Sequence, residues 1–297
     1  MLVITGTIGV FLFVRGAKAI RVGGAGFLTT QQWFPDTHKF GIATLLTGSV
    51  LIAVVGVAVA FPLSLAMSLF VSEIAPIRVK RFLVLLLDLM AAIPSVVFGL
   101  WGLGYFQAHV IGVARWLATW MSWFPPFKVP GYDRNNPLSS PTIFTASTFV
   151  AGIVVGLLIL PIMTSIMRES FSQAPPGERE GAYALGSTRW GMIRTVVLPF
   201  GRGGIIGGAM LGLGRLLGET VVVVLIISPS VFIQWHVLRK GANSVSANIA
   251  LKFGESSQFG LSALLASGAA LFVVALLVNF GASLIVARSR SGALSEV

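Results

Sequence analysis

Long apolar runs, separated by polar connectors, dominate this chain. Five runs are long enough to cross a bilayer, which takes about 20 mostly apolar residues. They are residues 42–72, 82–106, 142–167, 203–228 and 261–287. Backbone polar groups must be paired within hydrocarbon, and runs of this length exclude the roughly ten-residue strands of a membrane barrel. The pattern therefore predicts an all-α integral membrane protein.

The first apolar run, Met1–Val14, is shorter than a span. It has neither a basic n-region nor a small-residue cleavage site, so it differs from a signal peptide. We expect either the remainder of a first span that begins further upstream or a tilted, shortened span. With this segment the chain would have about six transmembrane helices.

Three prolines lie inside the predicted spans and should kink them. They are Pro62, Pro94 and Pro161. The segment around Pro94, AAIPSVVFGLWG (residues 91–102), also contains Ser95 and two glycines. It is compatible with a helix that is broken beside a transport pathway, and equally with the ordinary irregularity of a membrane helix.

The low charge content points to lipid as the main solvent of the chain. Charged residues make up 10% of the sequence, against about 25% in soluble domains. The net charge is +11, and the basic residues lie mostly between apolar runs. There they orient the chain or meet anionic lipid, and no aromatic-basic module indicates nucleic acid. The absence of cysteine excludes disulfides, a thiolate nucleophile and cysteine-ligated metals.

Lysine and arginine favour one orientation of the chain. With the amino terminus inside, the inner connectors are 73–81, 168–202 and 288–297, and the outer ones are 15–41, 107–141 and 229–260. Each set holds ten basic residues, but the inner connectors are shorter, and the side denser in positive charge is normally cytoplasmic. In the connector 107–141, Trp116, Trp120 and Trp123 share a helical face and predict a short interfacial helix on the outer side.

The connector 168–202 predicts a helix–glycine–helix arrangement, which we call the elbow and place in the cytosol. Proline and glycine residues stop the preceding helix, and a new helix then runs to Gly186, a typical helix terminator. Ser187 or Thr188 can cap a second helix over residues 189–197. A Leu-Pro pair should stop this second helix before the fifth span.

Six elbow residues resemble the EAA loop of ABC importer permeases. In that family Glu-Ala-Ala is followed after three residues by Gly, and later by a hydrophobic residue, one further residue and Leu-Pro. The matching residues are Glu180, Gly181, Ala182, Gly186, Leu198 and Pro199. The chain departs from the family at Gly181, where Ala is usual, and at Val196, where Ile is usual. The glycine lowers helix propensity by about 1 kcal/mol.

The resemblance implies that the elbow binds a groove on an ATP-hydrolysing partner subunit. The chain itself has no GxxxxGK[ST] motif, so it is not the ATPase. We expect no catalytic residue, no metal ligand and no cofactor in it. An elbow that only joins two spans is the alternative interpretation.

The stretch GLGRLLGET, residues 212–220, places two charges inside the fifth run. Between Gly203 and Ser228 only Arg215 and Glu219 are charged. In a continuous helix they would lie one turn apart, about 6 Å along the axis, with Arg215 about 18 Å from Gly203 and so near the membrane midplane. Each such charge costs on the order of 3 kcal/mol to insert.

These two charges suggest an anion path. The planar guanidinium of arginine matches an oxyanion with two parallel hydrogen bonds. A neighbouring glutamate can accept a hydrogen bond from a protonated anion, and phosphate carries a proton at neutral pH whereas sulfate does not. Our hypothesis is a phosphate-passing site with Arg215 as ligand and Glu219 as its tether and proton-sensing neighbour. The alternative is an ion pair that only holds the helix bundle together.

Asp88 is another acid inside a predicted span, and we expect it to be buried. It would pair with Arg81 at the cytoplasmic rim, or with Arg215 in one state of a transport cycle. Glycines surround Arg215 and would let another helix approach closely. They are residues 204, 207, 208, 212, 214 and 218.

Three segments together resemble the membrane subunits of the bacterial high-affinity phosphate importer, an ABC importer. They are AAIPSVVFGLWG, GLGRLLGET and residues 247–279. Within that family the chain resembles the PstC-type subunit more than the PstA-type subunit. Arg215 and Glu219 match the intramembrane pair that the family associates with phosphate passage, and Ser95 and Asp88 are further candidates for the path.

The resemblance implies a type I, MetI-like permease bundle in the bacterial inner membrane. Its partners would be a PstA-type second permease, an ATP-binding subunit dimer and an extracytoplasmic phosphate-binding protein. Residues 1–41 would form a partial first helix and outer connector, residues 42–287 the permease domain and residues 288–297 a cytoplasmic tail. A sulfate or molybdate permease is the nearest alternative, followed by a secondary anion carrier and a membrane enzyme.

Overall fold

The computed structural model describes residues 2–133 and 140–290, so most of the predicted tail 288–297 lies outside the described residues. Most of the described part is helical, and its strands form one small antiparallel hairpin, in which Trp33 pairs with Phe40. The helices are α1 (Leu2–Gly23), α2 (Gly26–Thr29), α3 (Ala43–Leu69), α4 (Ile77–Ala92), α5 (Ser95–Trp101), α6 (Gln107–Trp120), α7 (Thr148–Ser172), α8 (Pro176–Ala184), α9 (Arg189–Met192), α10 (Leu198–Phe200), α11 (Arg202–Gly218), α12 (Val221–Ile226), α13 (Val245–Lys252) and α14 (Gln258–Arg290), with strands β1 (Trp33–Phe34) and β2 (Lys39–Phe40). Single π-helical turns at Phe70–Ile74, Gly102–Phe106 and Ile193–Val197 continue α3, α5 and α9.

Several of these helices have the length and composition of membrane spans. Among the described residues, five helices are long and apolar enough to span a bilayer, or up to six if a bent pair counts as one span. The five are Val3–Gly23, Ala43–Ile74, Ser95–Trp120, Thr148–Ser172 and Gln258–Gly281, and the bent pair is Arg189–Phe200 with Arg202–Gly218. The predicted all-α membrane fold is confirmed.

The first helix is longer than the apolar run that predicted it. The prediction of a shortened span ending at Val14 is wrong, because α1 continues to Gly23 and is long enough to span. No proline interrupts the basic segment that follows Val14, and Gly24 then takes a left-handed conformation with φ +49°. Within α1, a side chain at Gly16 would collide with the backbone of Ala266, so this glycine allows α1 and α14 to pack closely.

The predicted third span, 82–106, is wrong in its bounds. Helix α4 ends at Ala92, and both Ile93 and Pro94 have extended backbone conformations. A new helix starts at Ser95 and continues to Trp120. The broken helix at Pro94 is thereby confirmed, and proline suits the position before a helix because it has no N–H to satisfy. The predicted short helix of the connector 107–141 is present as α6, and it continues the helix that starts at Ser95.

The predicted fifth span, 203–228, is not one helix. Helix α11 ends at Gly218, and α12 begins at Val221. At the other end, the elbow's second helix passes through the Leu-Pro pair and stops at Gly201 instead. A side chain at Gly201 would lie 2.4 Å from the ring of Phe171, so only glycine fits there. The chain bends by 65° at this point.

Two compact units divide the chain. Of the described residues, the first comprises 2–56, 94–133, 140–155 and 216–275, and the second comprises 57–93, 156–215 and 276–290. One buried cluster of the first unit includes Ala19, Phe27, Phe40, Ile42, Leu45, Val245, Ala263 and Ala266. In the second unit, the buried side chains of α7 include Ile159, Met163, Met167 and Phe171. Helix α11 packs on this side of α7 through its glycines.

Candidate functional site

The first helix of the elbow, α8, ends as its sequence predicts. Gly186 takes a left-handed conformation with φ +82°. Its N–H donates to the carbonyl of Tyr183 at 2.9 Å, and the N–H of Ser187 donates to the carbonyl of Ala182 at 3.1 Å. These two bonds form a Schellman motif, which satisfies the last carbonyls of the helix. The role of Gly186 as helix terminator is confirmed.

The second helix of the elbow starts at one of the two predicted caps. Thr188, rather than Ser187, is the cap, because its Oγ1 accepts a hydrogen bond from the N–H of Gly191 at 3.2 Å. The helix then continues from Arg189 to Phe200 and contains both residues of the predicted Leu-Pro pair. The predicted helix–glycine–helix arrangement is therefore present, with a longer second helix.

One side of the elbow exposes large apolar side chains. Leu185 is 89% exposed, Trp190 is 61% exposed and Tyr183 is 45% exposed. Glu180 and Gly181, two of the family-matching residues, are exposed beside them. No atom of the described residues lies within 4 Å of the position that a side chain at Gly181 would occupy. Exposed apolar residues next to charged ones are typical of a protein-binding surface.

The other side of the elbow is fixed by an arginine that the sequence did not single out. Arg179 Nη1 forms an ion pair with Glu73 Oε2 at 2.9 Å. Its Nη2 donates a hydrogen bond to the carbonyl of Phe171 at 2.6 Å. Glu73 and Arg179 are 106 positions apart, so no local pattern in the sequence could have predicted the contact.

Arg215 lies on α11, about 20 Å from the start of the helix at a rise of 1.5 Å per residue. Its side chain is exposed in the single chain. Within residues 2–133 and 140–290 its guanidinium has neither an ion pair nor a hydrogen bond. Helix α11 is the second half of the bent pair that could count as a sixth span, and the described residues provide no acceptor for its arginine.

Glu219 comes directly after Gly218, the last residue of α11. Among the described residues, no ion pair joins it to Arg215. Instead, Glu219 is half-buried and its Oε1 accepts a 3.4 Å hydrogen bond from the N–H of Val222 in α12. The predicted tether between the two charges is wrong in this conformation, because the glutamate side chain caps the helix that follows.

The remaining predicted path residues lie on the broken third run. Asp88 is exposed on α4 in the single chain, so its predicted burial is wrong. It does not pair with Arg81, since seven helical positions separate the two residues by about 10 Å along the axis. Ser95 is half-buried at the start of α5, directly after the break at Pro94.

Only some of the predicted glycines are packing positions. Gly204, Gly208 and Gly212 lie one turn apart on α11 and contact α7, where a side chain would collide with Ser170 or Met163 or crowd Met167. Such a stripe of small residues allows two membrane helices to approach closely. By contrast, a Cβ added at Gly207 or Gly218 would have no atom of the described chain within 4 Å. Their predicted packing role is wrong within this chain.

Comparisons with known proteins agree with this architecture. Residues 64–291 match the family described as binding-protein-dependent transport system inner membrane component. The phosphate transport system permease protein PstC 2 of Mycobacterium tuberculosis is 37% identical over 280 residues, which cover 93% of this chain and 84% of that protein.

Two solved structures share the fold. The inward-facing MetNI methionine ABC transporter gives a TM-score of 0.52 at 16% identity, over 84% of this chain and 94% of that one. A bacterial alginate ABC transporter, in complex with an alginate pentasaccharide-bound periplasmic protein, gives a TM-score of 0.56 at 16% identity. The match covers 81% of this chain and 76% of that chain. The chain therefore belongs to the family of binding-protein-dependent transport system inner membrane components, the membrane-spanning permeases of ABC importers.

Proposed function

We propose that this chain is the PstC-type permease subunit of an ATP-driven phosphate importer. The observation that carries the proposal is Arg215, a permanent cation on a membrane helix that has no acceptor among the described residues. A charge in that position is costly unless water, a partner subunit or a permeating anion meets it. The phosphate permeases among its relatives favour phosphate as that anion.

In this mechanism Arg215 binds the anion as it passes. Its guanidinium offers two parallel donors to two phosphate oxygens and stays charged throughout the cycle. Glu219 is proposed to accept a hydrogen bond from the protonated oxygen of phosphate, which would discriminate against sulfate. For this, its carboxylate would exchange the weak bond to Val222 for one to the anion. Ser95 and Asp88 are proposed as further polar residues along the path.

Partner subunits supply the energy and the substrate. The exposed surface of the elbow around Glu180, Tyr183 and Leu185 is proposed to dock on an ATP-binding subunit of a dimer. A PstA-type permease would be the second membrane subunit, and an extracytoplasmic phosphate-binding protein would deliver the anion. Closure of the ATPase dimer would move the elbows of the two permease subunits. The membrane helices would then rock about the anion site and expose it to the opposite side of the membrane, as in alternating access generally.

Uptake of radiolabelled phosphate tests the anion site. The assay uses cells that depend on this importer, with Arg215→Ala and Arg215→Lys as variants and Arg202→Ala, at the start of the same helix, as the control. Losing a desolvated charge-assisted contact costs at least about 2 kcal/mol, or roughly a 30-fold loss of uptake. We expect that loss for both Arg215 variants at normal membrane levels of protein, and near-normal uptake for Arg202→Ala.

Three results would contradict the proposal. Undiminished uptake by Arg215→Ala would remove Arg215 from the path. Full competition by sulfate or molybdate at concentrations equal to phosphate would assign another substrate. Uptake that resists orthovanadate, an inhibitor of ATP hydrolysis by such transporters, would indicate a secondary carrier.

A further inference from the structure

One arginine of the elbow joins three helices at their ends. Arg179 lies in α8, its ion-pair partner Glu73 lies in the π turn that ends the second span, and its other acceptor is the carbonyl of Phe171, near the end of α7. The side chain of Glu73 is 3% exposed and that of Arg179 is 23% exposed. The ion pair is therefore largely shielded from water.

The direction of Arg179 distinguishes it from four neighbouring charges of α8 and of the elbow's second helix. Glu178, Glu180, Arg189 and Arg194 are all exposed, where a partner subunit or water can reach them. Arg179 instead turns inward, toward a buried carboxylate and a buried residue's carbonyl. Burying two charges is expensive, and apolar residues of similar size would often stabilise a protein as well or better. A buried pair is therefore better suited to fixing one geometry than to adding stability.

The Glu73–Arg179 pair leaves one polar atom of each side chain without a hydrogen bond. Glu73 Oε1 and Arg179 Nε are both buried, and neither has a hydrogen-bond partner among the described residues. A guanidinium and a carboxylate can form two parallel bonds, whereas a single bond is present here. A buried donor and a buried acceptor left open within one ion pair allow a second arrangement of the same two side chains. The Glu73–Arg179 ion pair can therefore remain formed while the elbow changes position.

We propose that the Glu73–Arg179 pair is a positioning element that ties the elbow to the ends of α3 and α7. When the elbow is displaced, the pair makes both helix ends follow it. Without the pair, the covalent chain and apolar packing would still connect the elbow to α3 and α7. A smaller part of the elbow's movement would then reach the ends of these two helices. This inference rests on the proposed use of the elbow for coupling ATP hydrolysis to transport.

The test measures phosphate uptake and ATP hydrolysis together. The complete transporter, reconstituted in liposomes with the phosphate-loaded binding protein, gives the number of phosphate ions moved per ATP hydrolysed. The variants are Glu73→Gln and Arg179→Gln, with Glu169→Gln as the control because Glu169 is an exposed acid near the end of α7. We expect phosphate moved per ATP to fall about tenfold in the two pair variants while ATP hydrolysis per assembled complex persists, and to stay normal in Glu169→Gln.

Two rescue variants separate positioning from simple destabilisation. Arg179→Lys keeps a cation that can bond to the carboxylate, so it should recover most of the coupling. The exchange Glu73→Arg with Arg179→Glu restores the ion pair but loses the donor to Phe171, so it should recover coupling in part. Because it keeps a neutralised pair, the exchange remains informative if a single variant fails to assemble.

Defined results would overturn the inference. One is a Glu73→Gln transporter that moves as much phosphate per ATP as Glu169→Gln. Another is a parallel loss of uptake and hydrolysis at an unchanged ratio, which would show that the pair only maintains the number of intact complexes. A third is an Arg179→Lys variant as uncoupled as Arg179→Gln. If the unmodified transporter lacks vanadate-sensitive uptake, the proposed function itself fails, which is a separate outcome.

Discussion

Replacing Gly204 with alanine should force α11 away from α7. The added Cβ would lie 2.1 Å from Ser170 Cβ and 2.4 Å from its Oγ. The Cβ of Ser170 is fixed to its backbone, so side-chain rotation cannot relieve the overlap. Ordinary contact begins near 3.4 Å, so the two helices must separate locally by about 1.3 Å. A gap of that size forfeits about half or more of the dispersion energy between the facing atoms.

The expected cost follows from this separation. Overpacking of a tightly packed contact costs about 1–3 kcal/mol, and the better helix propensity of alanine offsets at most about 1 kcal/mol. We expect a net loss of about 1–2 kcal/mol, which at about 2–4 °C per kcal/mol should lower the Tm of the purified protein in detergent by about 2–8 °C. Gly207→Ala is the matched control, because the same change on the same helix meets no atom within 4 Å.

A graded series makes the test stricter. At Gly212 the added methyl would meet Sδ and Cγ of Met163 at 2.6 and 2.7 Å, and a methionine side chain can adjust. The Tm of Gly212→Ala should therefore lie between those of Gly207→Ala and Gly204→Ala. A Gly204→Ala protein that melts at or above Gly207→Ala would refute the close packing of α11 on α7.

Two further predictions concern a helix end and a buried hydroxyl. Gly186→Ala should destabilise the end of α8 by about 1–2 kcal/mol, because alanine is strained at φ +82°. Gly181→Ala should instead stabilise α8 by up to about 1 kcal/mol, because alanine has the higher helix propensity. Hydrogen exchange of the α8 amides measures both changes, and equal exchange rates in the two variants would contradict the role of Gly186 as helix terminator. Ser49→Ala should lower the free energy of unfolding by about 1–3 kcal/mol, because the buried Ser49 Oγ accepts a 3.0 Å hydrogen bond from the N–H of Val245. Ser172→Ala, which removes an exposed hydroxyl, is the control. Equal Tm values for the two variants would show that the hydrogen bond does not stabilise the protein.

The elbow could be predicted from the sequence because its structure depends on local chemistry. Only glycine adopts the left-handed conformation of residue 186 without strain. A hydroxyl three residues before an unpaired N–H is a typical helix cap, as Thr188 is. Neither feature depends on distant parts of the chain. The sequence could not choose between Ser187 and Thr188, because both have the required hydroxyl.

Breaks inside apolar runs were harder to predict for a physical reason. Hydropathy reports that a segment prefers lipid to water, and a broken helix and a straight one satisfy it equally. The break at Pro94 could be anticipated because proline removes an N–H. The end of α11 at Gly218 has no such marker, since glycines are frequent throughout that helix. The predicted tether between Arg215 and Glu219 required a helix that continues past Gly218, and the sequence does not specify that continuity.

Two arginines of this chain differ in what surrounds them, and that difference favours different roles. Arg179, half-buried on α8, has a carboxylate and a carbonyl from its own chain. Arg215, on a membrane helix, has no described acceptor. A guanidinium cannot release its proton to escape an unfavourable environment, so each must be neutralised by something. For Arg179 the protein supplies the neutralising groups, as expected of a residue that holds elements in place. For Arg215 they must come from water, a partner subunit or a solute, as a binding site for a passing anion requires.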